Sequence, residues 1–344
     1  MAYLPLSTAN LPDPVIDPAK GSSPEDYFNT VLYTSTSANQ SITGVGFEPD
    51  LCWIKDRTDA NSHHLFDQVR GAGERLRSDS TAAENTVTSF SSFDTDGFTL
   101  GPQGQGITTN NNNHVSWNWK ANGSGVSNTD GSITSTVSAS TESGFSIVKF
   151  TDAGSAGTVG HGLGVKPDLI IQKPLSGNND WYVFTEVIDG SFDFLNLNTT
   201  GAKNNSTLSA PTSAVFSNLQ ISGDCIAYCF HSVEAFSKFG SYTGNGSTDG
   251  PFVYTGFRPA FVMVKATNST QSWVILDNER AGYNVNNYRL FAESSNAEST
   301  TTPIVDLLSN GFKWRNNFGN FNGSGTNYIY MAFAEQPVKF SNAR

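Results

Sequence analysis

The sequence contains few cysteines, few methionines and few charged residues for its length. Three of its 344 residues are Cys, three are Met, and 15% are charged. Three cysteines cannot form a disulfide framework. Cys225 and Cys229, four residues apart on a predicted strand, share a face but lie too far apart to bridge, and Cys52 is distant in sequence. We therefore expect reduced thiols and a protein that folds in a reducing cytosol.

Basic charge and long apolar runs are also lacking. The net charge is −11, which argues against nucleic-acid backbones and anionic membranes as partners. No apolar run reaches the 18 or so residues that span a bilayer. The first residues have neither the basic region nor the apolar region of a signal peptide. The sequence thus predicts no nucleic-acid partner and no membrane partner.

Glycine and aromatic residues are plentiful. The chain has 32 Gly and 12% aromatic residues, and Ser, Thr and Asn are abundant. Hydrophobic content of 37% supports a core, but no stretch has helical periodicity. This composition is typical of an all-β protein with many turns.

One short pattern occurs three times, at residues 46–55, 164–173 and 256–265. Each copy reads Gly, apolar, charged, Pro, and then a mainly apolar run closed by Lys. Pro is tolerated at the start of a strand, where no ladder donor is missed. The run that follows does not alternate, so the pattern predicts a central strand that is buried on both faces.

Other landmarks recur in the same order and indicate three repeats. A predicted closing strand ends each repeat, with large side chains alternating on one face. The turns Asp96-Gly97 and Asn310-Gly311 also correspond, whereas the second repeat has residues 218–220 there. The alternating residues are Val115, Trp117 and Trp119; Ile226, Tyr228 and Phe230; and Ile329, Met331 and Phe333.

These landmarks predict five segments. They are an extended N-terminal arm (1–25), a first unit (26–123), a Ser/Thr/Gly linker (124–143), a second unit (144–236) and a third unit (237–344). A unit of roughly 100 residues with six or seven short strands is typical of a β-sandwich, either jelly-roll or lectin-like.

The central strands raise the question of what covers their outer face. In an isolated sandwich one face of each sheet meets water, so those strands would normally alternate. Either the units pack on one another or a second subunit covers them. The sequence does not decide. We predict a homo-oligomer, first a trimer, with a pseudo-symmetric monomer as the alternative.

The N-terminal arm is rich in proline and has few hydrophobic residues. Such segments are extended and have no core of their own. The arm is either a disordered tail or a segment that docks on another protein, and we predict docking. The candidate docking residues are Leu4, Pro5, Leu6, Leu11, Pro12, Pro14, Val15 and Ile16.

The sequence contains no recognised motif for catalysis or metal binding. There is no nucleophile elbow, phosphate loop or metal-ligand spacing. Adjacent His63 and His64 face opposite ways on a strand, and the run 110–113 (four Asn) is better explained as a loop than as a calcium site. The carboxylates fall at turns and unit edges rather than in the pairs that hydrolyse glycosides. We expect no enzyme activity, no cofactor and no bound metal.

Aromatic side chains are the remaining candidates for ligand contact, because sugar rings pack on aromatic faces. Trp181 and Trp273 occupy equivalent places in two units, which favours a core role. Trp314 and Tyr283 have no counterpart in the other units. We therefore name Trp314 and Tyr283 as candidate glycan contacts.

Several stretches together resemble a repeat family of virion proteins from marine bacteriophages, of the cyanophage type. They are GFEPDLCWIKDR (46–57), DTDGFTLG (94–101), SWNWKANG (116–123), VGHGLGVKPDLIIQK (159–173), SKFGSYTGNGSTDGPFVYTGFRPAFVMVK (237–265) and NYIYMAFAE (327–335). The resemblance covers about residues 26–340 and is most specific at 237–265.

The resemblance implies a tail-fibre-like or other structural protein, made in the host cytoplasm and located in the virion. Many such proteins attach these repeats to a longer fibre, whereas this sequence is one arm and three units. That favours a short tail appendage or a capsid-surface protein that aids host attachment. Expected partners are other virion proteins, bound through the arm, and a host surface glycan or protein. The alternatives are a carbohydrate-binding module at the tail tip and, less favoured, a polysaccharide depolymerase.

Overall fold

The protein is all-β, with 43% of its residues in strands and 4% in helices. The computed structural model describes residues 15–17, 20–102, 106–281 and 283–336. Within these residues the sheets are antiparallel ladders, and no helix is long and apolar enough to cross a membrane. The expectation of an all-β chain is confirmed.

The strands and helices follow one another in three series. A short 3-10 helix (Pro24–Asp26) precedes β1 (Phe28–Thr34), β2 (Gln40–Thr43), β3 (Leu51–Asp56), β4 (His64–Asp67), β5 (Glu74–Arg75), β6 (Asn85–Thr86), β7 (Phe90–Asp94), β8 (Gly97–Leu100) and β9 (Asn113–Trp119). The second series is β10 (Val126–Asn128), β11 (Ser135–Ser140), β12 (Phe145–Asp152), β13 (Thr158–Gly160), β14 (Leu169–Pro174), β15 (Tyr182–Thr185), β16 (Asp193–Asn196), β17 (Val215–Ser217) and β18 (Gly223–Phe230). The third is β19 (Ser237–Thr243), β20 (Phe252–Tyr254), β21 (Arg258–Ala266), β22 (Val274–Asp277), α1 (Asn278–Ala281), β23 (Leu290–Phe291), β24 (Val305–Leu308), β25 (Gly311–Trp314), α2 (Gly319–Asn322) and β26 (Asn327–Gln336).

Three main sheets share one strand order. The orders are β1-β9-β3-β4, β12-β18-β14-β15 and β19-β26-β21-β22. The third sheet adds β23, and the second adds β16 at one edge and β11 and β10 at the other. Residues 124–143, expected to be a linker, therefore contain two strands. Small residues such as Ser135 and Ala139 still form a ladder, because strand pairing uses the backbone.

The registers of the three sheets match. Leu51 pairs with Trp119, Leu169 pairs with Phe230, and Phe261 pairs with Phe333. The first strand of each sheet meets the same closing-strand residue through Phe28, Phe145 and Ser237. In sequence, Phe28, Phe145 and Phe239 lie 21, 22 and 20 residues before Pro49, Pro167 and Pro259, and this spacing predicts that the three Phe residues are equivalent. The ladder corrects this by two residues, because Phe239 pairs with Met331.

Each central strand is buried on both faces, as its sequence predicts. Leu51 and Trp53 face a hydrophobic cluster shared by all three series, whereas Cys52 and Ile54 face a separate cluster. The other central strands divide in the same way. The three closing strands direct their alternating large residues into the shared cluster. Rings meet there, with centroid distances of 5.7 Å for Trp119–Phe333 and 6.1 Å for Phe230–Phe333.

A small sheet covers the outer face of each main sheet. The small sheets are β2-β8-β7, β13-β17 and β20-β25-β24, and each shares a hydrophobic cluster with its main sheet. Both faces of the central strands are thus covered within one chain. The argument for a second subunit, which assumed an uncovered face, loses its force, although the homo-oligomer itself stays a prediction.

Candidate functional site

Trp314, one of the two candidate glycan contacts, is fully buried. Its ring stacks on Phe321 at 4.6 Å and lies edge-on to Phe312 at 5.4 Å. No face of the indole is available to a sugar, so this assignment is wrong. The lack of a counterpart in the other units suggested a ligand contact, but Phe321 of α2 and Phe312 of its own strand β25 pack against it.

Tyr283, the other candidate, is 79% exposed and stays a prediction. Trp181 and Trp273 are core residues, as expected. Their indole Nε1 atoms donate hydrogen bonds to main-chain carbonyls of the neighbouring series, to Arg77 at 2.8 Å and Asn196 at 3.0 Å. These two Trp residues therefore fasten one main sheet to the next.

Most of the candidate docking arm lies outside the described residues. Leu4, Pro5, Leu6, Leu11, Pro12 and Pro14 belong to that part. Val15 is 60% exposed, which suits a contact with another protein. Ile16 is completely buried in the shared cluster, so its assignment to docking is wrong. Burial of an aliphatic side chain in the protein's own core stabilises the fold, and a side chain buried there is not accessible to another protein.

A groove of about 290 Å³ opens on the outer face of the second main sheet. Tyr182 and Phe184 on β15 and Phe194 on β16 form its aromatic side. The ring centroids of Tyr182 and Phe194 are 5.6 Å apart, and both side chains are half-buried. The other lining residues are Asn205, Ser206, Thr207, Leu208, Leu219, Gln220 and Ile221.

The groove lies where the second small sheet is narrower than the others. The first and third small sheets have three strands, and the second has only β13 and β17. Residues 205–214 precede β17 in sequence, as β7 precedes β8 and β24 precedes β25, but they form no strand. Residues 218–220, expected at the place of the Asp-Gly and Asn-Gly turns, follow β17 instead, because Val215 has the ladder position of Gly97 and Gly311. Leu219 and Gln220 line the groove.

Gln172 lies beside this groove, opposite Tyr182 in the β14–β15 ladder. It is fully buried, and its Nε2 atom donates to the Ser217 carbonyl at 3.3 Å. Its Oε1 atom has no hydrogen-bond partner among the described residues. The corresponding residues of the other main sheets, by register, are Ile54 and Val264, which pack in apolar clusters. The buried amide is specific to the sheet that has the groove.

A buried ion pair links the first and second series. Arg70 Nε lies 2.5 Å from Asp67 Oδ2, with both side chains completely buried. Tyr228, from the second series, donates its hydroxyl to the same carboxylate oxygen at 2.7 Å. Glu84, which is partly exposed, holds the guanidinium from the other side at 3.1 Å. Together Asp67 and Tyr228 fix the contact between two sheets.

The third and first series are joined in the same way. Arg280 Nε lies 2.6 Å from Asp277 Oδ2, again with both side chains buried. Trp117 of the first series donates its indole N–H to that oxygen at 2.9 Å. Glu298 contacts Arg280 at 2.8 Å and also Arg57 of the first series at 2.8 Å. These carboxylates hold the sheets together and are not free for acid–base chemistry.

The Lys that closes each central strand is also buried. Lys55, Lys173 and Lys265 are completely buried, and each Nζ donates to main-chain carbonyls. Burial lowers the pKa of each amine to about 8. Lys173 reaches Thr81 of the first series, and Lys265 reaches Thr200 of the second. Lys173 and Lys265 therefore connect neighbouring series, whereas Lys55 donates to Asp56 of its own series.

The Asn run meets two carboxylates that the sequence did not place beside it. The Nδ2 atom of Asn112 donates to Asp56 at 2.7 Å and to Asp59 at 2.9 Å. Asn61 donates to Asp56 as well, at 2.7 Å. Amide donors thus satisfy these oxygens. Across the described residues no group of three or more His, Cys, Asp or Glu could hold a metal ion.

Sequence reasoning missed the groove and the buried ion pairs, although each has a signal in the repeat pattern. Asp67 and Asp277 align, each with Arg three residues later, whereas the second repeat has Thr185 and Ile188. The groove is signalled by Gln172, a polar residue inside an otherwise apolar strand.

One family match is found. The profile of a family described as a domain of unknown function (DUF7483) matches residues 23–337. No curated protein and no solved structure matches the chain.

Proposed function

We propose that this chain, which belongs to the DUF7483 family, is a non-enzymatic structural protein of a bacteriophage virion, displayed on the particle surface. It serves as a short tail appendage or a capsid-surface protein and aids host attachment. The proposal starts from the resemblance of six sequence stretches to marine phage virion proteins. The observation that carries it structurally is the single core shared by three main sheets.

A shared core suits a display protein because it makes the chain stiff. Each main sheet with its small sheet forms one β-sandwich repeat in this interpretation, so the chain carries three tandem repeats. Every repeat buries its inner face against the other two, and therefore no repeat can move independently. Stiff repeated modules present several copies of a surface, which favours multivalent attachment.

Several buried carboxylates, the residue type that would catalyse hydrolysis, are already bound to cations between the sheets. Asp67 and Asp277 each neutralise a buried Arg and accept a bond from a neighbouring sheet. Glu298 binds two guanidinium groups. These roles are structural, which supports a binding or scaffolding function over hydrolysis.

Immunogold labelling tests the location. Particles purified from an infected culture are labelled with antibody against the full chain and imaged in negative stain. We expect gold on intact particles, on either the head or the tail. Particles that carry no label, together with the chain free in the lysate, would overturn the proposal.

The partner proposed for the arm is another virion protein, and two truncations separate docking from folding. Deleting residues 1–14 should leave the thermal midpoint unchanged and abolish incorporation into particles. Deleting residues 1–20 also removes Ile16, whose burial stabilises the fold by about 1.5–3 kcal/mol. Normal incorporation of the first truncation would contradict docking.

The proposed assembly is a homo-oligomer, with a trimer as the first candidate. Sedimentation of the full chain at micromolar concentration decides it, because the chain mass is 37.0 kDa. A single species at that mass would favour the monomer in which the repeats cover one another.

A second candidate function is carbohydrate recognition at a tail tip, favoured by the aromatic groove on the second sheet. A polysaccharide depolymerase is the less favoured version. Incubation with host capsule distinguishes the two, since a depolymerase releases new reducing ends and a recognition module only binds.

A further inference from the structure

We propose that the groove of the second sheet binds one neutral sugar ring of a surface glycan, with Tyr182 and Phe194 as the stacking residues and Gln172 as a buried polar anchor. The proposal deepens the second candidate function and rests on it. It assigns the contact to residues that differ from Trp314 and Tyr283.

The aromatic side of the groove fits the apolar face of a pyranose. The C–H groups of a sugar pack on the faces of aromatic rings. Tyr182 and Phe194 are both half-buried, so part of each side chain is exposed, and their ring planes meet at 58°. Tyr182 also stacks on Phe184, with ring centroids 6.3 Å apart. Two rings inclined at this angle do not form a flat platform for an extended glycan chain, so we expect contact with a single ring.

The opposite side of the groove supplies neutral hydrogen-bonding groups. Asn205, Ser206, Thr207 and Gln220 carry amides and hydroxyls, which pair well with sugar hydroxyls. Among the lining residues only Tyr182 can ionise. Lys203 and Asp193, which adjoin the lining in sequence, bind each other. Burial and the nearby Asp180 carboxylate raise the pKa of Tyr182, so the charge that acts on the groove is negative. An uncharged groove on a chain of net charge −11 fits a neutral ligand better than an acidic one.

The Gln172 amide is a second indication of a ligand. Native structures rarely keep a buried acceptor without a donor. Gln172 Oε1 has no partner among the described residues. Gln172 does not line the groove itself, but it pairs in the ladder with Tyr182, which does. The other two sheets have the apolar Ile54 and Val264 at this position. In the proposed complex a ligand hydroxyl that enters beside Tyr182 supplies the missing donor.

The size of the groove sets the ligand class. Its volume of about 290 Å³ is close to the lower limit for ligand pockets, which is about 300 Å³. A single ring fits this volume, and the remaining glycan would extend into solvent.

The test is saturation-transfer NMR on the full chain. The probes are the methyl glycosides of glucose, galactose, mannose and N-acetylglucosamine, with methyl glucuronide as the charged comparison. The variants Gln172→Val and Tyr182→Val introduce the residues that the third sheet has at these positions, Val264 and Val274. Thr207→Trp, on the exposed rim, fills the groove without removing a core group. Tyr254→Ala is the matched control, because Tyr254 is an exposed tyrosine (58%) that does not line the groove.

We expect at least one neutral glycoside to bind, with affinity about tenfold weaker in each groove variant and unchanged in Tyr254→Ala. Thermal midpoints show whether each variant is folded, and Thr207→Trp replaces either Val variant that does not fold. Binding that survives all groove variants overturns this site and leaves carbohydrate recognition standing. Preference for the glucuronide overturns the neutral-sugar assignment and also leaves carbohydrate recognition standing. Absence of binding to every glycoside, the glucuronide included, overturns the site and the recognition function together. None of these outcomes bears on particle location, which the immunogold experiment tests.

Discussion

The three main sheets meet in three contacts. Two of these contacts contain a buried ion pair, and the third has uncharged residues at the corresponding positions. Asp67 with Arg70 and Asp277 with Arg280 each meet a donor from the next sheet, Tyr228 or Trp117. At the remaining set of positions the residues are Thr185, Ile188 and Met331.

This difference shows that the polar contacts behave as sets. A buried carboxylate requires its cation, and the pair requires its remaining hydrogen bonds. In the third contact, Met331 has the position of the donor, Thr185 that of the acid and Ile188 that of the cation. All three members of the set are therefore replaced together. The same backbone arrangement therefore accepts either a complete polar set or an apolar one, but not a partial set.

The largest expected effect comes from breaking one set. Asp67→Ala leaves Arg70 buried with its main partner removed, which should lower the free energy of unfolding by about 3–5 kcal/mol. Thr185→Ala, at the corresponding place, removes a hydroxyl that donates to the Asp168 carbonyl and accepts from the Val187 N–H, and it should cost about 1 kcal/mol for each of these two bonds. Urea unfolding at neutral pH measures both. Equal losses would show that the ion pair has no special role.

The aromatic cluster should be equally sensitive in all three sheets. Trp119, Phe230 and Phe333 are buried in the shared cluster, and truncation of each to Ala should cost about 3–5 kcal/mol. Phe318→Ala, a ring that is 41% exposed, is the control and should cost much less. A small loss at Phe230 alone would mean that the second sheet is not part of one cooperative core.

Acid should lower the free energy of unfolding of the whole chain, and most of this loss should come from histidines of the first series. Burial lowers the pKa of His63, His64, His114 and His161, of which the first three lie in that series. A group with a lowered folded-state pKa contributes stability above its unfolded pKa, near 6.5, and this is lost as the pH falls. Each His contributes a slope of about 1.4 kcal/mol per pH unit.

Three carboxyls oppose this trend, because burial raises the pKa of Asp50, Glu279 and Glu293. The pKa of Asp50 rises to about 6, so its contribution to stability increases as the pH falls through that value. The net change measured by urea unfolding between pH 6.5 and 5 should still be a loss, since four imidazoles oppose three carboxyls. His64→Val, which copies Val274 of the third sheet, should reduce the slope by about one His contribution. An unchanged slope would contradict the assignment.

The smallest expected effect comes from exchanging one complete set for the other. The triple variant Asp67→Thr, Arg70→Ile, Tyr228→Met copies the apolar set, and its stability should lie within about 1 kcal/mol of the natural chain. Glu84, left without Arg70, remains partly exposed and can be hydrated. A triple variant as unstable as Asp67→Ala would show that the sets cannot be exchanged.

Sequence alone predicted the all-β class, the central strands and the closing strands, because burial on a strand imposes a period of two and a doubly buried strand abolishes it. It also predicted that His63 and His64 point opposite ways. It misplaced Phe239 by two residues, because a ladder register depends on pairing and not on sequence spacing. Val165 has the place of Phe47 and Phe257 in the repeated sequence pattern, but it is 40% exposed whereas both Phe residues are buried.

The tertiary structure alone decided what covers each strand. Apolar residues on two faces are compatible with a second subunit or with the chain's own repeats, and only the packing shows that Leu51 faces the shared cluster and Cys52 the outer one. Likewise a lone Trp and a Gln in a strand do not reveal their neighbours. Trp314 is enclosed, whereas Gln172 lies beside a groove, because burial depends on which distant segments fold over a residue.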